Sequence, residues 1–367
     1  MTTVATTPAV PAGRPAGRKS KPAGGGIGRY LLIRFLLIFP TIFILVSMVF
    51  WLMRATGDPI TAALGGRLGP EQLAERIHAA GYDRPILVQY VEYLGQIFTG
   101  NFGTTISTNR PVSEVLLAYG VATAELAFYG LLVAFIVGIP LGMVAAYFRD
   151  KGQDALLRVF AILCYATPVF FSGLLFKLVF AVWLNVLPVA GRATTGSELE
   201  MQLLTNPTGL YTIDAIQVAF QAGNTDVLID VLQHAVLPSL ALGLLTAGVF
   251  LRLVRTNVIG TLGTDYVDAA RSRGVSEFRL VSKHAYRPAL IPIITVIGLQ
   301  IALLLGGAVL TETTFEWKGL GFVLIEFIKA RDYVAVQGIV ALLAVIVALS
   351  NFIVDIIAAI IDPRVRY

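Results

Sequence analysis

Six stretches of mostly apolar residues recur along the chain, at about 30–53, 123–148, 156–184, 231–253, 289–311 and 334–361. Each exceeds the ~20 residues that a helix needs to cross a bilayer. Each is nearly charge-free at its centre, and none alternates with period two, so the pattern predicts helices and not a β-barrel. The chain reads as an all-α membrane protein of six transmembrane helices. Two polar connections are long, 54–122 and 185–230, and predict sizeable caps on one side of the membrane. The second sets Arg192 against Glu198, Glu200, Asp214, Asp226 and Asp230.

Composition agrees with this pattern. Of 367 residues, 56% are apolar and only 14% charged. A soluble domain carries roughly 25% charge, so an ordinary globular protein is excluded. A disulfide scaffold is excluded as well, because Cys164 is the single cysteine. The net charge of +5 raises the question of nucleic acid, but the placement of the charges speaks for a membrane. Eighteen Lys and Arg fall in the first tail, the second-to-third and fourth-to-fifth connections and the last residues. Nine fall on the opposite side, and Lys177 lies within a span. That asymmetry places both termini in the cytoplasm. Residues 1–28 are basic and rich in Pro and Gly with no apolar face, which predicts a disordered tail able at most to touch anionic lipid.

The connection after the fourth span, "TDYVDAARSRGVSEFRLVSKHAYRP", is too polar to span and too patterned for slack linker. It reads as two short helices. Asp265 is expected as N-cap with Asp268 three residues on, Gly274 as a left-handed stop, Ser276 as the second cap and Pro288 as a helix start. Val267, Ala270 and Phe278 set against Arg271, Arg273 and Arg279 give mixed faces. Small Ala269 and Ala270 leave room for a close partner. On the residues alone, a protein-binding lever and a helix lying on lipid stand equal.

"DAARSRG" followed by "HAYRPALIP" resembles the cytoplasmic EAA loop of bacterial ABC importer permeases, with Asp268 where that family usually has Glu. The remainder is similar to the dipeptide, oligopeptide and nickel branch. The matching stretches are "GDP" at 57–59, "GYDRPILVQYVEYLGQIFTGNFGTTISTNRPV" at 81–112, "ATPVFFSG" at 166–173, "LPVAG" at 187–191 and "HAVLPSLALG" at 234–243. They continue with "GGAVLTETTFEWKGLG" at 306–321, "RDY" at 331–333 and "DPRVRY" at 362–367. Lys318 and the stretch "YGVATAELA" at 119–127 depart from the usual pattern, and the basic tail is extra.

The resemblance implies a type I ABC importer permease fold over 29–367 in the bacterial plasma membrane. It implies half of a heterodimeric pathway for dipeptides or oligopeptides, made with a second homologous permease, two cytoplasmic ABC ATPases and an extracytoplasmic binding protein. Nickel or another solute is the alternative cargo, since the binding protein selects it. It implies contact with an ATPase through Asp268, Ala269, Ala270, Arg273 and Gly274. The chain itself is expected to hydrolyse nothing: "GRPAGRKS" at 13–20 lacks P-loop spacing. No cofactor or metal is expected, because His78, His234 and His284 lie far apart, and no nucleic acid is expected as partner. Glu125 and Lys177 are candidates to line the pathway; a half-solvated helix start for Glu125, and snorkelling or a meeting with an acid of the partner for Lys177, remain open beside that. Asp355 can pair with a neighbouring helix. A proton-driven carrier using Glu125 and Asp355 is the reading from another class, but it calls for internal repeats and broken helices, which the sequence does not clearly show.

Overall fold

Residues 27–361 are described by a computed structural model, in which the described chain is helical but for loops and one isolated bridge between Thr104 and Pro111. The expected tail up to residue 26 and the "DPRVRY" end lie outside the described residues. The first span forms as α1 (Ile27–Arg54), which begins two residues inside the segment expected as tail. The long connection after it folds into α2 (Pro59–Leu64), α3 (Pro70–Ala79) and α4 (Ile86–Phe98). Asp58 caps α2 by accepting from the Thr61 N–H at 2.8 Å, and Pro59 supplies the preset first turn.

The second span starts well before the expected residue. It runs as α5 (Val112–Val133), a π-turn (Ala134–Gly138) and α6 (Ile139–Tyr147). Pro140 is the second residue after the π-turn; the wider turn accommodates a residue that cannot donate its backbone hydrogen bond. The third span departs from expectation. It breaks into α7 (Gly152–Ala166) and α8 (Val169–Phe176), the latter continued by a π-helix (Lys177–Trp183), with the two halves bent by 104°. Thr167 precedes Pro168 and is driven to extended backbone, ψ 125°, which stops the helix there.

The second cap holds α9 (Thr195–Gln202) and α10 (Tyr211–Ala222), closed over a small apolar centre of Met201, Ala215, Val218, Val227 and Val231. Then come α11 (Asp226–Leu262), α12 (Asp265–Ser272) and α13 (Glu277–Arg279). A π-helix (Leu280–Ala285) leads straight into α14 (Tyr286–Phe315), so Pro288 sits inside one continuous rod and does not start a helix. Last come α15 (Leu320–Lys329) and α16 (Tyr333–Ile361).

Four single helices among the described residues are long and apolar enough to cross a membrane: Gly28–Arg54, Val112–Tyr147, Asp226–Leu262 and Tyr333–Ile357. The bent pair makes a fifth if it serves as one crossing. The 30 residues of α14 span about 45 Å at 1.5 Å each. α11 is central and packs against α5, α6, α7 and α14, while α1 lies along α16. Small residues let these helices meet. A β-carbon at Gly243 would lie 2.6 Å from the Gly130 carbonyl, and one at Gly142 would lie 2.8 Å from the Leu251 carbonyl. Such close backbone approach is how helices associate where lipid removes the hydrophobic drive. Arg34 and Asp355 join α1 to α16 at 3.4 Å, giving Asp355 the neighbouring-helix partner that its sequence position invited.

Candidate functional site

The polar connection after α11 forms a helical hairpin. Thr264, not Asp265, is the N-cap of α12, and its hydroxyl turns back to the Thr261 carbonyl at 2.6 Å. Gly274 ends α12 with φ +78°, as its position predicts. Its N–H donates to the Arg271 carbonyl at 2.9 Å and the Val275 N–H to the Ala270 carbonyl at 3.3 Å, the paired bonds of a Schellman stop. Ser276 is the N-cap of α13, without a side-chain cap bond.

Arg271 straps the turn by donating to Asp268 on one side and to Glu277 at 2.8 Å on the other. These two carboxylates, Glu277 first, hold the guanidinium above its ordinary pKa. Tyr266 reaches the His284 carbonyl at 3.5 Å, an acceptor that Pro288, four residues on, cannot serve from the helix.

The hairpin has one anchored face. Val267, Leu280 and Ala285 are fully buried, with Val281 close behind, against Val254, Val258 and Leu262 of α11, Ala146 of α6 and Ala289 and Ile293 of α14. The other face is bare. Asp268, Ala269, Arg273 and Gly274 are exposed and adjacent, and Ala270 is half-buried against the anchored face. Phe278 is 69% exposed and packs edge-on to Tyr147, so it belongs to the outer face and not to the apolar one expected.

Glu125 and Lys177 each meet a partner within the chain. Glu125 is 4% exposed, well inside α5, and so is not a half-solvated helix start. Arg192 donates to it at 2.5 Å, and the Thr212 N–H and hydroxyl donate to its other oxygen at 2.9 and 2.6 Å. Arg192 also bonds the Gly209 carbonyl at 3.0 Å and lies 3.6 Å from the Tyr211 ring. This pair ties α5 to the second cap. Lys177 donates to the Thr314 carbonyl at 2.8 Å and lies near the Phe315 ring, so its charge meets the carbonyl end of α14, where the helix dipole is negative.

Glu312 was not singled out from the sequence, yet it anchors the same region. It accepts from the Thr123 hydroxyl at 2.6 Å and the Phe322 N–H at 2.9 Å; Leu320 N–H donates in turn to Thr123 at 2.8 Å, and Trp317 donates to the Ala122 carbonyl at 2.9 Å. A β-carbon at Gly319 would fall 2.4 Å from the Glu312 carboxylate. The available signal was an acid at the end of an apolar run, followed within ten residues by Gly319 and Gly321. Of the histidines, His78 contacts Asp83 at 2.6 Å and His234 contacts the Asp230 carbonyl at 2.8 Å. No His, Cys, Asp and Glu cluster suited to a metal occurs among the described residues.

Known proteins resemble this chain over nearly all of its length. Residues 138–367 match the binding-protein-dependent transport system inner membrane component, and residues 27–121 match the N-terminal region of such membrane components. The di/tripeptide transport system permease protein DppB of Pseudomonas aeruginosa is 36% identical over 340 residues, 92% of this chain and 98% of that protein. The dipeptide transport system permease protein DppB of Escherichia coli K12 is 35% identical, covering 92% and 99%. The probable D,D-dipeptide transport system permease protein DdpB of the same strain is 38% identical over 309 residues, covering 84% and 88%. A chain of the MetNI methionine ABC transporter, solved in inward-facing conformations, shares the fold with TM-score 0.50 at 16% identity, covering 68% of this chain and 98% of its own. The fold is thus that of an ABC importer permease, and the chain belongs to the family of binding-protein-dependent transport system inner membrane components.

Proposed function

We propose that this chain is one half of the translocation pathway of an ATP-driven importer of dipeptides and oligopeptides, gated by ATPase subunits that grip the α12–α13 hairpin. Its place is the bacterial plasma membrane, with six crossings, α14 and the bent pair among them, and both termini in the cytoplasm. The partners are a second homologous permease, two ABC ATPases and an extracytoplasmic binding protein. The peptide cargo rests on the names of the relatives.

One observation carries the mechanism: the hairpin is a stiff lever. Its inner face is packed against three helices, and α13 continues without a break into α14. A push on the exposed Asp268, Ala269, Arg273 and Gly274, or beside half-buried Ala270, therefore goes into α14 and is not lost in a loose loop. Closure of the ATPase pair supplies a bias between two packed arrangements, which is what a partner-driven switch needs.

Ala269 offers the cleanest test because it is exposed. Ala269→Glu is expected to abolish ATP-dependent uptake of a labelled dipeptide by vesicles while the chain remains in the membrane at its usual level. A photocrosslinker at Ala269 is expected to capture an ATPase subunit. Capture of phospholipid alone, or uptake driven by a proton gradient in ATP-depleted vesicles, overturns the proposal.

A further inference from the structure

One amphipathic helix of the first cap carries an apolar face that the protein does not cover. α4 turns about 100° per residue, which sorts its side chains into three sectors. Ile86, Tyr90, Tyr93 and Ile97 share the first, and Gln89, Glu92 and Gln96 share the second. Leu87, Val88, Val91, Leu94 and Phe98, with Gly95, fill the third, which holds no polar side chain. Leu94 is half-buried and the rest of this third sector is exposed. The apolar stripe of a helix is ordinarily its buried one, so this stripe calls for a cover.

The first sector forms a seam with α1. The Tyr90 hydroxyl shares a 2.6 Å hydrogen bond with Ser47, its ring lies 5.7 Å from that of Trp51, and Tyr93 stacks on Phe50 at 5.3 Å. A cavity beside the seam shows which way the other sectors turn. Gln89, Glu92 and Gln96 line it together with Phe50 and Arg54 of α1. The polar sector therefore lies on the cavity side of the seam, and the apolar sector falls on the other side. The order around α1 is the same: Phe50 and Arg54 at the cavity, Ser47 and Trp51 at the seam, then Ile44, Met48 and Leu52, all three exposed. The two helices thus present one continuous apolar surface, and on α1 it belongs to a helix long and apolar enough to cross a membrane.

Depth places this surface in the bilayer. Arg34 and Arg54 stand 20 positions apart on α1, about 30 Å at 1.5 Å each, which is the thickness of a hydrocarbon core. Ser47, where Tyr90 attaches, lies seven positions, about 10 Å, inside the level of Arg54. Helices that lie in a membrane surface bury their apolar face about 5–10 Å deep. Trp51 and Tyr90 at the seam are the residue types that collect at such a boundary. A protein partner fits this surface less well. Docked proteins share about one hydrogen bond per 100–200 Å², and the apolar sector of α4 has no side chain to make one.

We propose that α4 is seated in the bilayer leaflet at the C-terminal end of α1, with Leu87, Val91 and Phe98 covered by phospholipid acyl chains. The first cap is then anchored in the membrane surface along α4, while α3, which buries no residue, stays in water. The inference rests on the crossing made by α1 and not on the cargo or the gate.

The test uses the full permease assembly, binding protein included, in nanodiscs of phosphatidylethanolamine and phosphatidylglycerol. A benzophenone side chain replaces Leu87, Val91, Phe98 or Glu71 in turn, and mass spectrometry identifies what each captures on illumination. Glu71 is the control, because it is an exposed acid in the first turn of α3. All four side chains are exposed, so the probe displaces no core residue. Phospholipid adducts are expected at the three α4 positions and not at Glu71. Capture of a second permease or of the binding protein as the main adduct at those positions overturns the proposal. So does lipid capture at Glu71 equal to that at Val91, or the absence of any lipid adduct on α4.

Discussion

A charge buried in a helix bundle persists only where its opposite lies within reach. Glu125 and Arg192 are 4% and 7% exposed and bond each other, while Thr212 also donates to Glu125 and Arg192 also donates to the Gly209 carbonyl. Removing one partner strands the other in a dry site, which costs about 3–5 kcal/mol, whereas removing both for apolar groups of similar size is often close to neutral. Glu125→Leu and Arg192→Met should therefore each lower the unfolding free energy in detergent by about that amount, and the double variant by much less than their sum. Additive losses in a double-mutant cycle would show that the two side chains act separately. Such a pair is invisible to sequence reading. The two residues are 67 positions apart, and neither the apolar run around Glu125 nor the acidic cap around Arg192 announces the other. Gly274, by contrast, was legible, because a glycine after a short amphipathic run has a local reason that needs no tertiary knowledge.

That local reason gives a test for the hairpin as an element. A β-carbon at Gly274 would meet nothing within 4 Å, so substitution acts through the backbone, at φ +78°, and not through crowding. Left-handed backbone costs an L-residue about 1–2 kcal/mol, with Asn spared most of this and β-branched residues hit hardest. Gly274→Val should loosen the stop and speed tryptic cleavage at the exposed Arg273 by roughly 5- to 30-fold, as expected for local opening made easier by that energy. Gly274→Asn should be cut at close to the native rate; equal acceleration in both would mean that side-chain volume, and not φ, governs the turn. Other elements show where pattern reading ends. Apolar length placed the first, fourth, fifth and sixth runs inside real helices, but it carries no information on direction. The third run therefore read as one span although Pro168 forces Thr167 to extended backbone and a 104° bend. The proline was the signal, and continuous hydrophobicity concealed it.

At the scale of the whole molecule, the long helices of the bundle must hold their spacing. α11 is the common surface, and it approaches α5 closely where Gly243 faces Gly130. Lipid outside the bundle is as apolar as the side chains within, so van der Waals fit at such points carries much of the association. Gly243→Ala places a carbon 2.6 Å from both the Gly130 carbonyl oxygen and the Val133 β-carbon. A backbone atom cannot swing aside, so the helices must part, at about 1–3 kcal/mol or more for an overpacked core. Gly260 sits on the same helix with nothing within 4 Å of its would-be β-carbon. There the same substitution should stabilise by about 0.5–1 kcal/mol, since alanine loses less conformational freedom in a helix than glycine. The two variants share chemistry, helix and propensity term, and differ only in what the new methyl meets. Thermal unfolding in detergent, followed by tryptophan fluorescence, should move down for Gly243→Ala and level or up for Gly260→Ala. If both moved alike, helix propensity and not interhelical contact would set the stability of the bundle.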